Sequence, residues 1–299
     1  MSSNAFQLIA APFTPMQADR SVALDRIPAY YDFLLSQGVD GAFVCGTTGE
    51  GQLLTVEERE AVVSAWTKAR GDNGAFRIMV HAGQESSRTA SRLARHASSA
   101  GVDAIAMTSS TFFKPVNETM AVEQSAEVAA AAPTMPFYYY HIPAMTGLNF
   151  SMVKLLTLAR QQIPTFAGIK FTHGDAGEYL DCLNLAEGLE IMFGRDEQLL
   201  SGLVMGARSA VGSTYNFTTP VYRRMIAAFD RGDLDEARRE QTHAREMING
   251  IIALGGLAAM KPMFALAGFD CGPSRLPAPA MSTSAQEKLQ TVWQNWQRG

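Results

Sequence analysis

Short apolar runs recur along this chain. Each is followed by a polar or glycine-bearing turn and then by a stretch with the period of an amphipathic helix. Eight such runs read as strands: Phe6–Phe13, Gly41–Cys45, Arg77–Ala82, Ala104–Thr108, Pro136–Tyr140, Phe166–Thr172, Glu190–Gly194 and Ser209–Ser213. Their starts lie roughly 20 to 35 residues apart, the length of one strand-plus-helix unit, and no linker or break in composition separates any two. Eight uninterrupted units predict one α/β fold, a closed (β/α)8 TIM barrel. Helix signals fill the intervals. Thr55 with Glu58 three residues on forms a capping box ahead of an amphipathic run to Lys68, and Asp19–Gln37 and Arg88–Ala100 also read as helical. The tail beyond Ser213 is longer than one closing helix needs, with helical pieces at Pro220–Arg231, Leu234–Leu254 and Ser284–Arg298. The expected division is a barrel over 1–232 and a helical extension over 233–299 packed on it.

Composition narrows the function. A chain that is 47% hydrophobic and 18% charged, with net charge −4, buries a substantial core and carries no basic run to attract nucleic acid or an anionic membrane. No window is long and apolar enough to span a bilayer, and Met1–Phe13 lacks the cationic start and apolar stretch of a signal peptide, so a cytoplasmic location is expected. The three cysteines, Cys45, Cys182 and Cys271, are far apart and show no zinc-type spacing; free thiols and no structural metal are expected.

Six of the 25 basic residues are lysines, and one is out of place. Lys170 sits inside the apolar run Phe166-Ala-Gly-Ile-Lys-Phe-Thr172, where a buried ammonium costs several kcal/mol unless it is paired or neutral. Strict alternation puts Gly168, Lys170 and Thr172 on one face, the small and polar one, and Ala167, Ile169 and Phe171 on the other. Facing inward near the C-terminal end of a barrel strand, Lys170 would be desolvated toward a nucleophilic free amine, a Schiff-base lysine. The alternative is a strand-end lysine that reaches solvent by its stem. Lys261, before Pro262 in a helical segment, reads as a snorkelling or helix-end charge.

Other strand ends carry polar groups. In Phe137-Tyr-Tyr-Tyr-His-Ile-Pro143, Tyr138 and Tyr140 share one face and Tyr139 takes the other. These rings serve either packing or, beside a desolvated lysine, proton transfer by a tyrosine whose pKa is lowered toward neutrality. His141 reads as structural. The turn Cys45-Gly-Thr-Thr-Gly-Glu-Gly51 is either an ordinary glycine-rich turn or a carboxylate cradle built from Thr47, Thr48 and backbone N–H groups; it is neither a P-loop nor a dinucleotide site. Asp196 and Glu197 either cap the following helix or accept hydrogen bonds from a polyol. Ser213 places a hydroxyl at the same rim. His173, Asp175 and Glu178 show no triad spacing and read as loop and cap residues.

Taken together, Gly46-Thr-Thr-Gly-Glu50, Tyr140-His-Ile-Pro-Ala-Met-Thr-Gly147, Gly168-Ile-Lys-Phe-Thr172 and Gly194-Arg-Asp-Glu197 resemble the class I aldolases of the N-acetylneuraminate lyase and dihydrodipicolinate synthase family, in order and from Phe6 to beyond Asn216. The stretches Pro136–Pro143, Asp196–Leu200 and Val211–Asn216 are most similar to its lyase branch. The resemblance implies an imine between Lys170 and sialic acid or pyruvate, with Tyr140 moving the proton of the C4 hydroxyl. It implies that Thr47 and Thr48 hold the α-keto carboxylate, and that Thr172, Gly194, Asp196, Glu197 and Ser213 contact the sugar-derived tail. Cleavage would give pyruvate and N-acetylmannosamine with no metal or organic cofactor, in a homotetramer. Two positions depart from the family pattern. Met145 stands where synthases place an arginine for a second carboxylate, which argues against dihydrodipicolinate synthesis. Phe112 and Phe113 stand where many members deliver a tyrosine across a subunit interface, so the substrate carboxylate would take part in proton transfer instead. Another pyruvate-dependent aldolase acting on a 2-keto-3-deoxy sugar acid, and a non-catalytic sialic acid-binding protein, are the alternatives.

Overall fold

In the computed structural model, which describes residues 5–298, eight parallel strands close into a barrel in chain order. They are β1 (Gln7–Ala10), β2 (Gly41–Val44), β3 (Arg77–His81), β4 (Ala104–Met107), β5 (Phe137–His141), β6 (Phe166–Phe171), β7 (Glu190–Phe193) and β8 (Ser209–Gly212), and β1 pairs with β8 from Gln7↔Ser209 onward. All eight expected strands are present, within three residues at their ends. The helices are α1 (Ile27–Ser36), α2 (Val56–Arg70), α3 (Ser87–Ser99), α4 (Glu118–Ala130), the single turn α5 (Pro143–Thr146), α6 (Met152–Gln162), α7 (Ala176–Leu185), α8 (Leu199–Met205), α9 (Thr219–Asp230), α10 (Leu234–Ala253), α11 (Leu257–Leu266) and α12 (Thr283–Trp296). The capping box at Thr55 makes both of its hydrogen bonds with Glu58.

One local expectation is corrected. The helix expected over Asp19–Gln37 starts only at Ile27, after a short 3-10 turn. Ahead of it, Arg20 adopts a left-handed φ of 68° and Met16 pairs antiparallel with Val22, because the Asp19 carboxylate accepts the Ser21 N–H and hydroxyl and holds a tight turn there. In the tail, the helical segment that carries Lys261 is α11, with Pro262 inside it.

Two apolar layers build the fold. A large shell packs the outer faces of the strands against the helices, and a smaller cluster of Ile9, Phe43, Met79, Ala106, Tyr138, Tyr140, Met192, Val211 and their neighbours fills the barrel. At the N-terminal end a polar plug closes the interior. Arg77 bonds Glu190 at 2.9 Å and Tyr138 at 2.7 Å, while Tyr138 and Ser209 donate to the same carboxylate at 2.8 and 2.6 Å. The interior is therefore approached from the C-terminal ends of the strands, where barrel enzymes place their chemistry.

The extension is tied over that mouth. Lys261 is 2% exposed and pairs with Glu50 at 2.6 Å while donating to the Pro273 carbonyl at 3.0 Å; Arg275 reaches both Glu58 oxygens at 2.6 Å. The expected snorkelling role of Lys261 is thus overturned, because a buried carboxylate from the β2–α2 loop makes burying the ammonium tolerable.

Candidate active site

What turns Lys170 inward is a β-bulge. Phe166 and Ile169 both belong to the outer shell although they are three positions apart, an odd spacing, while Ala167 packs against the inner cluster. The pairing with β5 jumps accordingly from Phe137↔Phe166 to Tyr138↔Gly168. Strict alternation from Phe166 would have sent Lys170 outward; the extra residue rephases the strand. Ala167 therefore lies on the inner face rather than with Ile169 and Phe171 as alternation predicts. Gly168 makes the bulge possible, since its φ is +148° and a Cβ there would sit 1.8 Å from the Glu190 carbonyl oxygen.

Inside, the Lys170 nitrogen lies 4.0 Å from the centre of the Phe43 ring and 4.1 Å from that of Tyr140. Ring faces replace only part of the lost hydration. Burial therefore lowers the amine from 10.5 to about 7, with the Asp196 carboxylate acting in the opposite direction. About half of such amines are unprotonated near neutrality, the condition for a lysine nucleophile.

Tyr140 projects from β5 with its hydroxyl 3.4 Å from Thr47 Oγ1. Its pKa moves the opposite way from the lowering that a simple base would need, because burial pushes it up to about 12. Tyr139 faces outward toward Ser109, as alternation requires. The loop after β2 carries Thr47 and Thr48 on a turn that folds tightly on itself: Glu50 has φ 55°, and a Cβ on Gly51 would lie 1.9 Å from the Cys45 carbonyl oxygen. Thr48 Oγ1 meets Ser213 Oγ at 2.5 Å, joining the ends of β2 and β8.

Asp196 is buried and does not cap α8. Its carboxylate accepts the Thr214 N–H at 2.8 Å and the Thr214 hydroxyl at 2.7 Å, and burial raises it to about 6. Gly212 leaves the room it occupies, since a Cβ there would lie 2.1 Å from Asp196 Oδ1. The N-terminus of α8 is served instead by Gln241 of α10, which accepts the Leu200 N–H at 2.8 Å. Glu197 turns away to Arg195 at 2.6 Å and is part-exposed. Thr172 Oγ1 is buried without a hydrogen-bonding partner among the described residues, and a Cβ on Gly194 would come within 2.0 Å of it.

A cavity of about 390 Å³ opens at this end. Thr47, Thr48, His81 and Met145 line it, with Leu257 and Pro277 contributed by the extension. Lys170, Tyr140 and Asp196 are not on its walls; Thr47, which is, reaches Tyr140 through its hydroxyl. Phe112 and Phe113 stand about four-fifths exposed on the loop after β4.

Sequence reading passed over His81. Its ring lies edge-on to Tyr140 at 5.8 Å, and its Nε2 accepts the Thr108 N–H at 3.1 Å, so Nδ1 carries the proton of the neutral ring. Burial and the nearby Arg59 and Lys170 charges hold it well below the usual imidazole range. An imidazole inside the run Arg77–Ala82 was the available signal. Glu50 and Gly212 were missed as well, and nothing in one sequence marks their partners.

The sequence profile of the dihydrodipicolinate synthetase family matches residues 4–295. The chain is 41% identical to the N-acetylneuraminate lyase of Gallus gallus over 294 residues, covering 95% of each chain. It is 40% identical to the lyase of Homo sapiens, covering 95% of this chain and 92% of that one. Among solved structures, the N-acetylneuraminate lyase of Proteus mirabilis superposes with a TM-score of 0.93 at 37% identity, covering 97% of this chain and 98% of that one. A Ruminococcus gnavus sialic acid aldolase described as a catalytic lysine mutant superposes with a TM-score of 0.93 at 25% identity, covering 100% of this chain and 97% of that one. With the profile matched along almost the whole barrel and its extension, this chain belongs to the dihydrodipicolinate synthetase family.

Proposed function

We propose that this protein is a Schiff-base aldolase that cleaves N-acetylneuraminate reversibly to pyruvate and N-acetylmannosamine, with Lys170 as the residue that forms the imine. The observation that carries the reading is a lysine wrapped by Phe43 and Tyr140 at the head of a barrel strand, its amine held at about 7. The names of the relatives supply the substrate.

The free amine of Lys170 adds to the C2 ketone of the open-chain sugar acid, and loss of water leaves a protonated imine. Removal of the C4 hydroxyl proton then lets the C3–C4 electron pair flow into that imine. C4 becomes the aldehyde of N-acetylmannosamine, and the pyruvate half becomes an enamine on Lys170. A proton returned to C3 and hydrolysis of the imine release pyruvate and restore the lysine. The imine is the electron sink, so no step calls on a metal or an organic cofactor.

Tyr140 serves as a relay rather than as a standing base. A phenol at about 12 is protonated in the resting site, and the cation formed beside its ring lowers the cost of ionising it. Thr47, 3.4 Å from the phenol, holds the substrate carboxylate together with Thr48 and gives the proton a path toward it. Thr172, Gly194, Asp196, Glu197 and Ser213 receive the hydroxyl-bearing tail. For that, Thr172 offers an unpartnered hydroxyl and Asp196 its second carboxylate oxygen, while Glu197 must leave Arg195. Met145 brings no cation for a second carboxylate. The exposed Phe112 and Phe113 suit a subunit interface, and a homotetramer is the assembly proposed.

Borohydride reduction in the presence of pyruvate, followed by peptide mass spectrometry, tests the imine; an adduct on Lys170 is expected, and none, or one on Lys261, overturns it. Pyruvate release followed with lactate dehydrogenase tests the substrate. Turnover of a 2-keto-3-deoxy sugar acid in preference to N-acetylneuraminate would reassign it, and binding of sialic acid without release would make the protein a non-catalytic binder.

A further inference from the structure

On the outer wall of the barrel, away from the Lys170 chamber, three side chains from β5, the β6–α7 loop and α7 converge. One nitrogen each of His141 and His173 and a Glu178 carboxylate oxygen lie within 4.8 Å of one another. The two rings stand perpendicular with centroids 5.4 Å apart. His141 is 3% exposed, and its Nε2 and the Nδ1 of His173 are buried with no hydrogen-bonding partner among the described residues. Buried imidazole nitrogens without partners are costly and rare. The recess they face also holds Asp175 and Asp181, so its charge is negative. Asp175 is already engaged, accepting the Glu178 N–H at 3.0 Å as the cap of α7.

We propose that His141, His173 and Glu178 form a binding site for a divalent zinc-type cation. Two imidazoles and one carboxylate suit a borderline-soft first-row ion rather than magnesium or calcium, which take oxygen ligands. Ligand atoms on a tetrahedral zinc stand ~3.3 Å apart, so the three must draw together by at most ~1.5 Å, within reach of side-chain rotation. Water fills the fourth position. The other Glu178 contact, acceptance of the Met152 N–H at 2.7 Å, orients the carboxylate from the start of α6. His141 directly follows Tyr140, and His173 directly follows Thr172. A bound ion would therefore brace the ends of β5 and β6 against α7 from outside. Its role is structural, and the aldol chemistry does not pass through it. The expectation of no structural metal rested on cysteine and histidine spacing; a ligand set split 32 residues apart, with its last member on the next helix, leaves no such spacing.

The test is calorimetric titration of ZnCl2 into the chelator-treated, dialysed full-length protein. It is run beside His173→Ser and Glu178→Gln variants whose folding is checked by circular dichroism. One zinc per chain is expected in the wild type, with the unfolding midpoint rising with zinc concentration. Each variant should bind at least ~10-fold more weakly, since outer partners of metal ligands alone are worth that much. MgCl2 should give no heat. Absence of stoichiometric zinc in the wild type, or equal affinity in both variants, overturns the site. Borohydride trapping of pyruvate in metal-free protein reads the imine separately, so failure of one reading leaves the other standing.

Discussion

Replacing Lys170 with methionine should abolish turnover and make the folded protein more stable at neutral pH. Methionine keeps an unbranched side chain of similar length against the Phe43 and Tyr140 rings and removes the group that resists burial. The amine titrates near 10.5 in the unfolded chain and at about 7 in the fold. Between these values the unfolded state binds more protons, so the lysine's cost to folding is full below pH 7 and fades as pH rises toward 10.5. Linkage puts that cost at about 4 kcal/mol at pH 7 and about 2 kcal/mol at pH 9. The substitution also takes a cation from beside Asp196. The attraction of that carboxylate is already contained in the value of about 7, so the linkage figures include it and the loss of the cation adds no separate correction. Urea unfolding of wild type and Lys170→Met at pH 7 and pH 9 reads the difference. The expected result is a variant that is more stable at pH 7, with the gap narrowing by about 2 kcal/mol at pH 9. A variant no more stable than wild type at pH 7, or a gap that does not change with pH, would refute the claim that Lys170 is buried as a destabilised free amine.

The same titration should govern the chemistry: the rate of imine trapping with pyruvate rises about tenfold per pH unit below neutrality and levels off above a midpoint near 7, whereas a rate still climbing at pH 9 would mean an ordinary lysine. Tyr140→Phe should lower kcat by ~100-fold or more with pyruvate trapping far less affected; an effect confined to KM would remove the phenol from proton transfer. Gly212→Ala drives a Cβ into the space of the Asp196 carboxylate and should raise KM for N-acetylneuraminate while leaving pyruvate trapping intact, and an unchanged KM would detach Asp196 from the sugar tail. Lys261→Met strands Glu50 beneath the extension and should cost ~3–5 kcal/mol in urea unfolding, largely restored by adding Glu50→Gln; a loss under 1 kcal/mol would show that the pair does not hold the extension down.

The barrel was legible because strands buried on both faces read as short apolar runs, and eight of them recur at the spacing of a strand-plus-helix unit. Its ends were less so. Phe6–Phe13 is apolar apart from Gln7, yet the strand stops at Ala10, two residues before Pro12, which has no N–H to give to the ladder. The position of Lys170 was inferred correctly from the company of small residues although the alternation used for it was wrong at Ala167; the bulge that corrects the phase depends on a contact between Gly168 and Glu190, 22 positions away. Lys261 looked like a surface charge because its partner, Glu50, lies 211 positions earlier. The direction of the Tyr140 shift was missed for a similar reason. Burial dominates it, and burial is a property of the closed barrel that no local spacing displays.

The two ends of the barrel treat polar groups in opposite ways, and that contrast locates function more firmly than any single motif. At the N-terminal end, Arg77, Glu190, Tyr138 and Ser209 are mutually bonded, with cation and anion in contact and hydroxyls on the remaining lone pairs. Such a cluster holds the fold and asks nothing of a ligand. Toward the C-terminal end neither the Thr172 hydroxyl nor His81 Nδ1 has a hydrogen-bonding partner among the described residues, and the Lys170 amine is pushed toward neutrality. Each of these costs stability in the free protein, and a fold under selection for stability alone would fill the positions with apolar side chains. On the proposed function that cost is recovered when a bound molecule brings what each group lacks: an electrophilic carbon for the amine and hydroxyls or a carboxylate for the rest. The net charge of −4 gives no long-range pull on an anionic sugar acid, so its affinity must come from these few unsatisfied groups, and the same groups that weaken the empty barrel select what enters it.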